Sequence, residues 1–119
     1  MKKLCLLSDI PNYGSKGFNI NDVALFAVRK NHDVFAYVNR CPHLGIALEW
    51  QPDQFLDSGG DLIQCAMHGA LFNIENGECL SGPCSGQSLQ QLKVDIIDEA
   101  VFVLLSEHTS TSRLTTESI

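Results

Sequence analysis

Four residues carry the chemistry open to this chain, and they come in two matched pairs. Cys41 and His43 stand at a C-x-H spacing within Arg40-Cys41-Pro42-His43-Leu44-Gly45. Cys65 and His68 stand at C-x-x-H within Gln64-Cys65-Ala66-Met67-His68-Gly69. A glycine closely follows each histidine and lets the backbone turn tightly. Any one of these side chains alone reads as an ordinary buried thiol or a solvent-facing imidazole, whereas four in two matched loops read as the jaws of one metal site. Two thiolates and two imidazoles satisfy a tetrahedral zinc ion. They also satisfy a binuclear iron–sulfur cluster.

The elements that must hold these loops fit one domain. With 119 residues there is enough chain for a core, but not for an electron-transfer domain beside a separate catalytic one. Hydrophobic residues at 45% against charged residues at 18% place the chain in the globular class. No apolar run approaches the roughly 20 residues that span a bilayer. The start, Met1-Lys2-Lys3-Leu4-Cys5-Leu6-Leu7, is too briefly apolar for a signal peptide and reads as a first strand. Eight basic against fourteen acidic side chains leave a net charge of −6, which disfavours nucleic acid or an anionic membrane as partner and suits a basic face on a protein. The five cysteines, Cys5, Cys41, Cys65, Cys79 and Cys84, are an odd number, which argues for a reducing compartment and thiols kept for metal. A cytoplasmic location is the expectation.

Strand signals separated by turn residues run through the chain. Leu4 to Leu7 is followed by Pro11-Asn12-Tyr13-Gly14-Ser15-Lys16-Gly17, a loop by composition. Val23 to Val28 and Val34 to Val38 are β-branched and aromatic runs joined by Arg29-Lys30-Asn31-His32-Asp33, and read as a hairpin. Both runs are nearly all apolar, so both of their faces are covered, as in a sandwich or small barrel. The first Cys/His loop follows directly. Between the loops, Gln54 to Asp57 and Asp61 to Gln64 flank Ser58-Gly59-Gly60 and form a second hairpin that returns Cys65 toward Cys41. Leu71 to Glu75 and Glu78 to Leu80 flank Asn76-Gly77, which predicts a type I′ turn. A proline loop, Ser81 to Gly86, precedes the strands Leu92 to Ile96 and Val101 to Leu105 across an Asp98-Glu99 turn. No helical stretch of convincing length stands out. Residues 106–119 turn to Ser, Thr and isolated charges and read as a tail.

Cys41-Pro42-His43-Leu44-Gly45 with Cys65-Ala66-Met67-His68-Gly69, then Phe72, Asn76-Gly77 and Ser81-Gly82-Pro83, resembles the Rieske [2Fe–2S] proteins, nearest to their soluble, ferredoxin-like branch. The resemblance covers roughly residues 2 to 105. It implies an all-β, Rieske-like fold of stacked antiparallel sheets in a single domain over 1–105, with a small cluster-binding part at about 40–85. The spacing between loops is longer than is usual in the family, and the excess falls around Asp57 to Asp61, so a longer hairpin arm is expected.

The resemblance also implies how the ligands divide. Cys41 and Cys65 hold one iron, and His43 and His68 hold the other through ring nitrogens. Two thiolates cancel the cluster's positive charge where four would leave it negative, so such a centre accepts an electron more readily. Leu44, Gly45, Met67, Gly69 and Pro83 then surround the histidine-bound iron. High-potential relatives add a disulfide between the loops and hydroxyls that donate to the sulfurs. The matching positions here, Ile46 and Met67, and Ala70 and Phe72, offer neither. A potential in the lower part of the range of about −150 to +300 mV follows. Trp50 and Tyr37 read as core or rim aromatics, His32 and His108 as exposed, and Cys5, Cys79 and Cys84 as small apolar residues.

The implied function is one-electron transfer from a reductase to a terminal oxygenase or another redox partner, with no catalytic residue. A small or regulatory subunit of a larger, nitrite-reductase-like reductase is the alternative, and a zinc-stabilised interaction domain is a third. A terminal oxygenase subunit is disfavoured, because it needs a mononuclear iron held by two His and a carboxylate, and only His32 and His108 remain.

Overall fold

The computed structural model describes residues 1–40, 53–65, 69–82 and 86–105. Its strands are β1 (Lys2–Leu6), β2 (Ser15–Ile20), β3 (Val23–Lys30), β4 (Asp33–Val38), β5 (Ile63–Gln64), β6 (Leu71–Phe72), β7 (Cys79–Ser81), β8 (Gln91–Leu92), β9 (Val94–Ile97) and β10 (Ala100–Val103). The helical element among the described residues is a single 3₁₀ turn at Leu7–Asp9. The strands form three antiparallel sheets, ordered β1-β10-β9, β2-β3-β4-β8 and β5-β6-β7. The all-β expectation holds.

The apolar runs of β3 and β4 explain the layering. Their register sets Leu25 opposite Val38, Phe26 opposite Tyr37, and Ala27 opposite Ala36, and paired residues share a face. Phe26, Val28 and Tyr37 therefore enter one core with Phe55, Ile63, Phe72 and Ile74. Leu25, Ala27, Ala36 and Val38 enter another with Leu7, Ile10, Val101 and Val103. The sheet of β2, β3, β4 and β8 is thus the middle layer, covered on both faces as the runs require.

Several local expectations change. Ser15, Lys16 and Gly17, read as loop, are the start of β2, with Ser15 opposite Val28 and Gly17 opposite Phe26. Composition misled there because β3 supplies the ladder, and Gly17 leaves room for the Phe55 ring, which a Cβ would approach to 3.3 Å. The β3–β4 turn shrinks to Asn31 and His32, since Lys30 already pairs with Asp33 and Asn31 takes φ +59°. Asn76-Gly77 does not form a type I′ turn, which needs positive φ at both residues. Only Gly77 has it, at +75°. Gly77 N–H donates to Asn73 O at 2.8 Å and Asn73 N–H to Glu78 O at 2.9 Å. The loop is therefore the longer Ile74 to Gly77. Asn73 and Asn76 hold it open, their side-chain oxygens accepting from the N–H groups of Glu75 and Glu78, while Ile74 is drawn into the core. Type I′ turns occur instead at Asn21-Asp22 and Asp98-Glu99, where both residues have positive φ and the flanking residues pair directly. The expected run Leu92 to Ile96 divides at Lys93 between two sheets, and the tail 106–119 lies outside the described residues.

Candidate metal centre

The second Cys/His loop is described at both ends, and those ends fix it. Ile63 pairs with Phe72 and Gln64 with Leu71, so the chain must reverse between Cys65 and Ala70. Cys65 N–H donates to Ala70 O, and Gly69 N–H to Cys65 O, each at 2.9 Å. Gly69 sits at φ +67°, which costs an L-residue about 1–2 kcal/mol. Cys65 is only 1% exposed and belongs to the aromatic core with Ala70 and Phe72. This ligand candidate stands on the end of a strand, held by a backbone bond on either side.

The proline loop reaches the same place. Gly82, just beyond β7, has φ +109°, and a Cβ on it would lie 2.9 Å from Ala70 Cα. Only glycine lets the two backbones meet this closely. The far end of the β6–β7 hairpin is held by Tyr37, whose buried hydroxyl donates to Ile74 O and whose ring leaves 2.7 Å for any Cβ on Gly77. Burial, and after it the charge of Glu75, push the Tyr37 phenol well above its ordinary range. As expected, Tyr37 is a core aromatic.

The first loop is anchored where it leaves and re-enters the described chain. At its start, Asn39 N–H donates to Ala24 O and Arg40 N–H to Val38 O, both at 2.9 Å. At its end Asp53, at φ +66°, accepts Gly17 N–H on Oδ1 at 2.7 Å, and its carbonyl accepts the Ser15 hydroxyl at 2.8 Å. Sequence reasoning missed this clamp because it missed β2. The signal was there, in the alternation of Phe18 and Ile20 with polar neighbours. The expected arm between the loops is present, with Gln64 N–H donating to Phe55 O and Asp57 N–H to Leu62 O, both at 2.9 Å. Asp57 Oδ1 accepts Asp61 N–H and Leu62 N–H across its turn.

Of the expected ligands and the residues expected around them, Cys65 and Gly69 are described. Cys41, His43, Leu44, Gly45, Ile46, Trp50, Met67, His68, Pro83, Cys84 and His108 lie outside the described residues. Among the described residues no three of His, Cys, Asp and Glu gather into a metal-binding group, because three of the four candidate ligands are not among them. Cys79 is buried and His32 exposed, as expected. Cys5 is half-buried, and burial, reinforced by Asp9, pushes its thiol up to about 11.

A family model, the Rieske [2Fe-2S] domain, matches residues 1–109. The chain belongs to the Rieske family. One Rieske-type [2Fe–2S] cluster is the cofactor of this domain. The described part of the site fits that group: a buried cysteine on a fixed strand end, uncharged neighbours at Gly69, Ala70 and Gly82, and, among the described residues, nothing within 4 Å of where a Cβ on Gly69 would lie. The cytochrome b6-f complex iron-sulfur subunit of Chlorobaculum tepidum is 32% identical over 99 residues, 83% of this chain and 50% of that protein. This Rieske domain thus spans about half the length of that curated relative. A chain from the complex of reduced oxygenase and oxidized ferredoxin in carbazole 1,9a-dioxygenase is similar at TM-score 0.70 and 26% identity, over 86% of this chain and 99% of that one. The ferredoxin of carbazole 1,9a-dioxygenase from Nocardioides aromaticivorans IC177 shares the fold at TM-score 0.72 and 18% identity, over 89% of this chain and 100% of that one.

Proposed function

We propose that this Rieske domain is a one-electron carrier that takes electrons from a reductase and passes them to a terminal oxygenase or another protein redox partner. The carrying observation is the seating of Cys65, a buried thiol fixed by two backbone bonds at the end of a strand. In this reading Cys41 and Cys65 ligate one iron and His43 and His68 the other, in a cluster-binding part spanning about 40–85 of a single domain over 1–105. When bound, the cluster supplies the one-electron couple. The chain holds it, keeps water from it through Leu44, Gly45, Met67, Gly69 and Pro83, and performs no bond chemistry of its own. Support for an oxygenase as acceptor is the similarity, along almost the whole of the compared chain, to a component of the carbazole 1,9a-dioxygenase complex. Ala70 and Phe72 are buried and carry no hydroxyl, which favours a potential in the lower part of the range of about −150 to +300 mV. The reading places the domain in the cytoplasm, away from membrane and nucleic acid.

Absorption and EPR spectra of the purified chain test this. Wild type is coloured and gives the signal of a reduced, mixed-ligand cluster, and His43→Ala or His68→Ala loses it. Its potential falls as pH rises, because imidazoles hold protons more tightly on the reduced site. A colourless protein with stoichiometric zinc sinks the reading. The relationship to a cytochrome b6-f complex subunit twice as long favours a second reading, a Rieske module of a larger redox assembly. Stable co-purification with that assembly from the native host would decide for it.

A further inference from the structure

The sheet β1-β10-β9 packs one face on the aliphatic core through Val101 and Val103, with Cys5, Val94 and Ile96 beside them. On its other face Lys3, Leu6, Asp95 and Ile97 are exposed, Phe102 is half-buried and only the small Ala100 is buried. Paired residues share a face, so that outer face carries two rows. One is Lys3–Phe102–Asp95, and the next is Leu6–Ala100–Ile97. Leu6 is 44% and Ile97 56% exposed, and Leu104, which follows Phe102 on the same face, is 47% exposed. Three large aliphatic side chains in water on one sheet face are a feature that proteins usually cover.

The rows have an order that decides what covers them. Lys3 is on one edge strand, Asp95 on the other, and Phe102 lies between on the central strand. Two strand spacings separate the charges, roughly 10 Å, and the ion pair found among the described residues is Lys30–Glu75, elsewhere. A twofold axis parallel to β10 carries one edge of the sheet over the other. It sets Lys3 of one copy over Asp95 of the next, Leu6 over Ile97, and Phe102 over itself. The face is complementary to its own copy in both charge and hydrophobicity, which a closed two-fold interface requires.

We propose that this face joins two copies of the chain, sheet on sheet, into a symmetric dimer. Three short strands a side make a small interface, and the net charge of −6 on each chain opposes association. The dimer therefore forms and dissociates with concentration, like other small redox interfaces. The sheet that bears Cys65 lies on the opposite side of the middle layer, so both candidate sites stay open to a partner. The assembly presents two electron-carrying ends.

Sedimentation velocity of the full chain over a concentration series reads this out. Wild type shifts from monomer to twice the monomer mass. Ile97→Lys weakens the dimer by at least about tenfold and leaves the visible spectrum unchanged. Lys3→Glu and Asp95→Lys each weaken it, and the double variant K3E/D95K regains it, because the two charges have then changed places and still meet with opposite sign across the axis. The rescue separates a charge pair across the axis from simple loss of fold. Wild type that stays monomeric up to its solubility limit overturns the proposal, whatever other partner covers the face. So does a dimer indifferent to Ile97→Lys, or a double variant as weak as the singles.

Discussion

On one side of the middle sheet the core is aliphatic and regular, and on the other it is aromatic and held by individual contacts. The first joins Leu, Ile, Val and Ala mainly from β1, β3, β4, β9 and β10, strands of four to eight residues, with Leu92 from the two-residue β8 and Leu7 and Ile10 beside them. The second joins Phe26 stacked on Phe55 at 4.3 Å, with Tyr37 5.6 Å from Phe26, to strands of only two or three residues. Those strands are too short to hold themselves. What holds them is the Gly82–Ala70 contact, the Tyr37 hydroxyl on Ile74, and the Asp53 clamp on β2. Periodic structure makes the scaffold, and special contacts aim the site.

If that division is right, the two halves fail differently. Leu25→Ala empties the aliphatic core and costs about 2–5 kcal/mol, read as a lower Tm, while absorption and EPR spectra below the transition stay as in wild type. Gly82→Ala places a Cβ against the Ala70 backbone at positive φ and costs about 1–3 kcal/mol. Its larger effect is on the cluster, whose content or potential changes in the protein that remains folded. Leu25→Ala molecules that fold yet lose the cluster, or a Gly82→Ala protein with a lower Tm and an unchanged spectrum, would erase the distinction.

The same division explains what was legible in the sequence. Val23 to Val28 and Val34 to Val38 announced a sheet buried on both faces because every position but Ala24 is committed to one core or the other. Cys41, His43, Cys65 and His68 stood out because thiols and imidazoles ligate metal and because they come as two matched pairs beside glycines. β2 stayed hidden because Ser15-Lys16-Gly17 carries no propensity for a strand and acquires its structure from pairing with β3. Asn76-Gly77 misled because the local preference for a tight turn lost to the burial of Ile74, a tertiary demand that no window around the turn contains.

Tyr37 tests the aromatic half more gently. Tyr37→Phe leaves Ile74 O without its buried donor and costs about 1–3 kcal/mol at neutral pH. The pH dependence changes as well. The phenol is raised in the folded protein from 10.0, so its contribution is complete below pH 10 and lost as pH rises toward the folded value. The variant loses that share of the alkaline fall in stability. The share of Cys5, raised from 9.0 to about 11, remains between those values. Denaturant titrations at neutral and alkaline pH show whether the two curves converge.

The smallest effect concerns the tip that Tyr37 anchors, where Lys30 Nζ lies 2.8 Å from Glu75 Oε2. The hydrogen bond and charge of Lys30 hold the Glu75 carboxyl below its ordinary value, and Glu75 raises Lys30 in return. A depressed carboxylate stabilises above its unfolded value and loses that contribution as pH falls through the folded one, so acid releases the pair. Both side chains are largely in water, where ion pairs contribute little. Lys30→Met should therefore raise the Glu75 titration midpoint, followed by NMR, and leave Tm unchanged within error. Gln91 Nε2 still donates to Glu75 O at 3.0 Å, and the Tyr37 hydroxyl still holds Ile74. A fall in Tm as large as that of Tyr37→Phe would mean that the exposed pair fixes the hairpin, and that the aromatic half draws its order from its surface instead of its buried anchors.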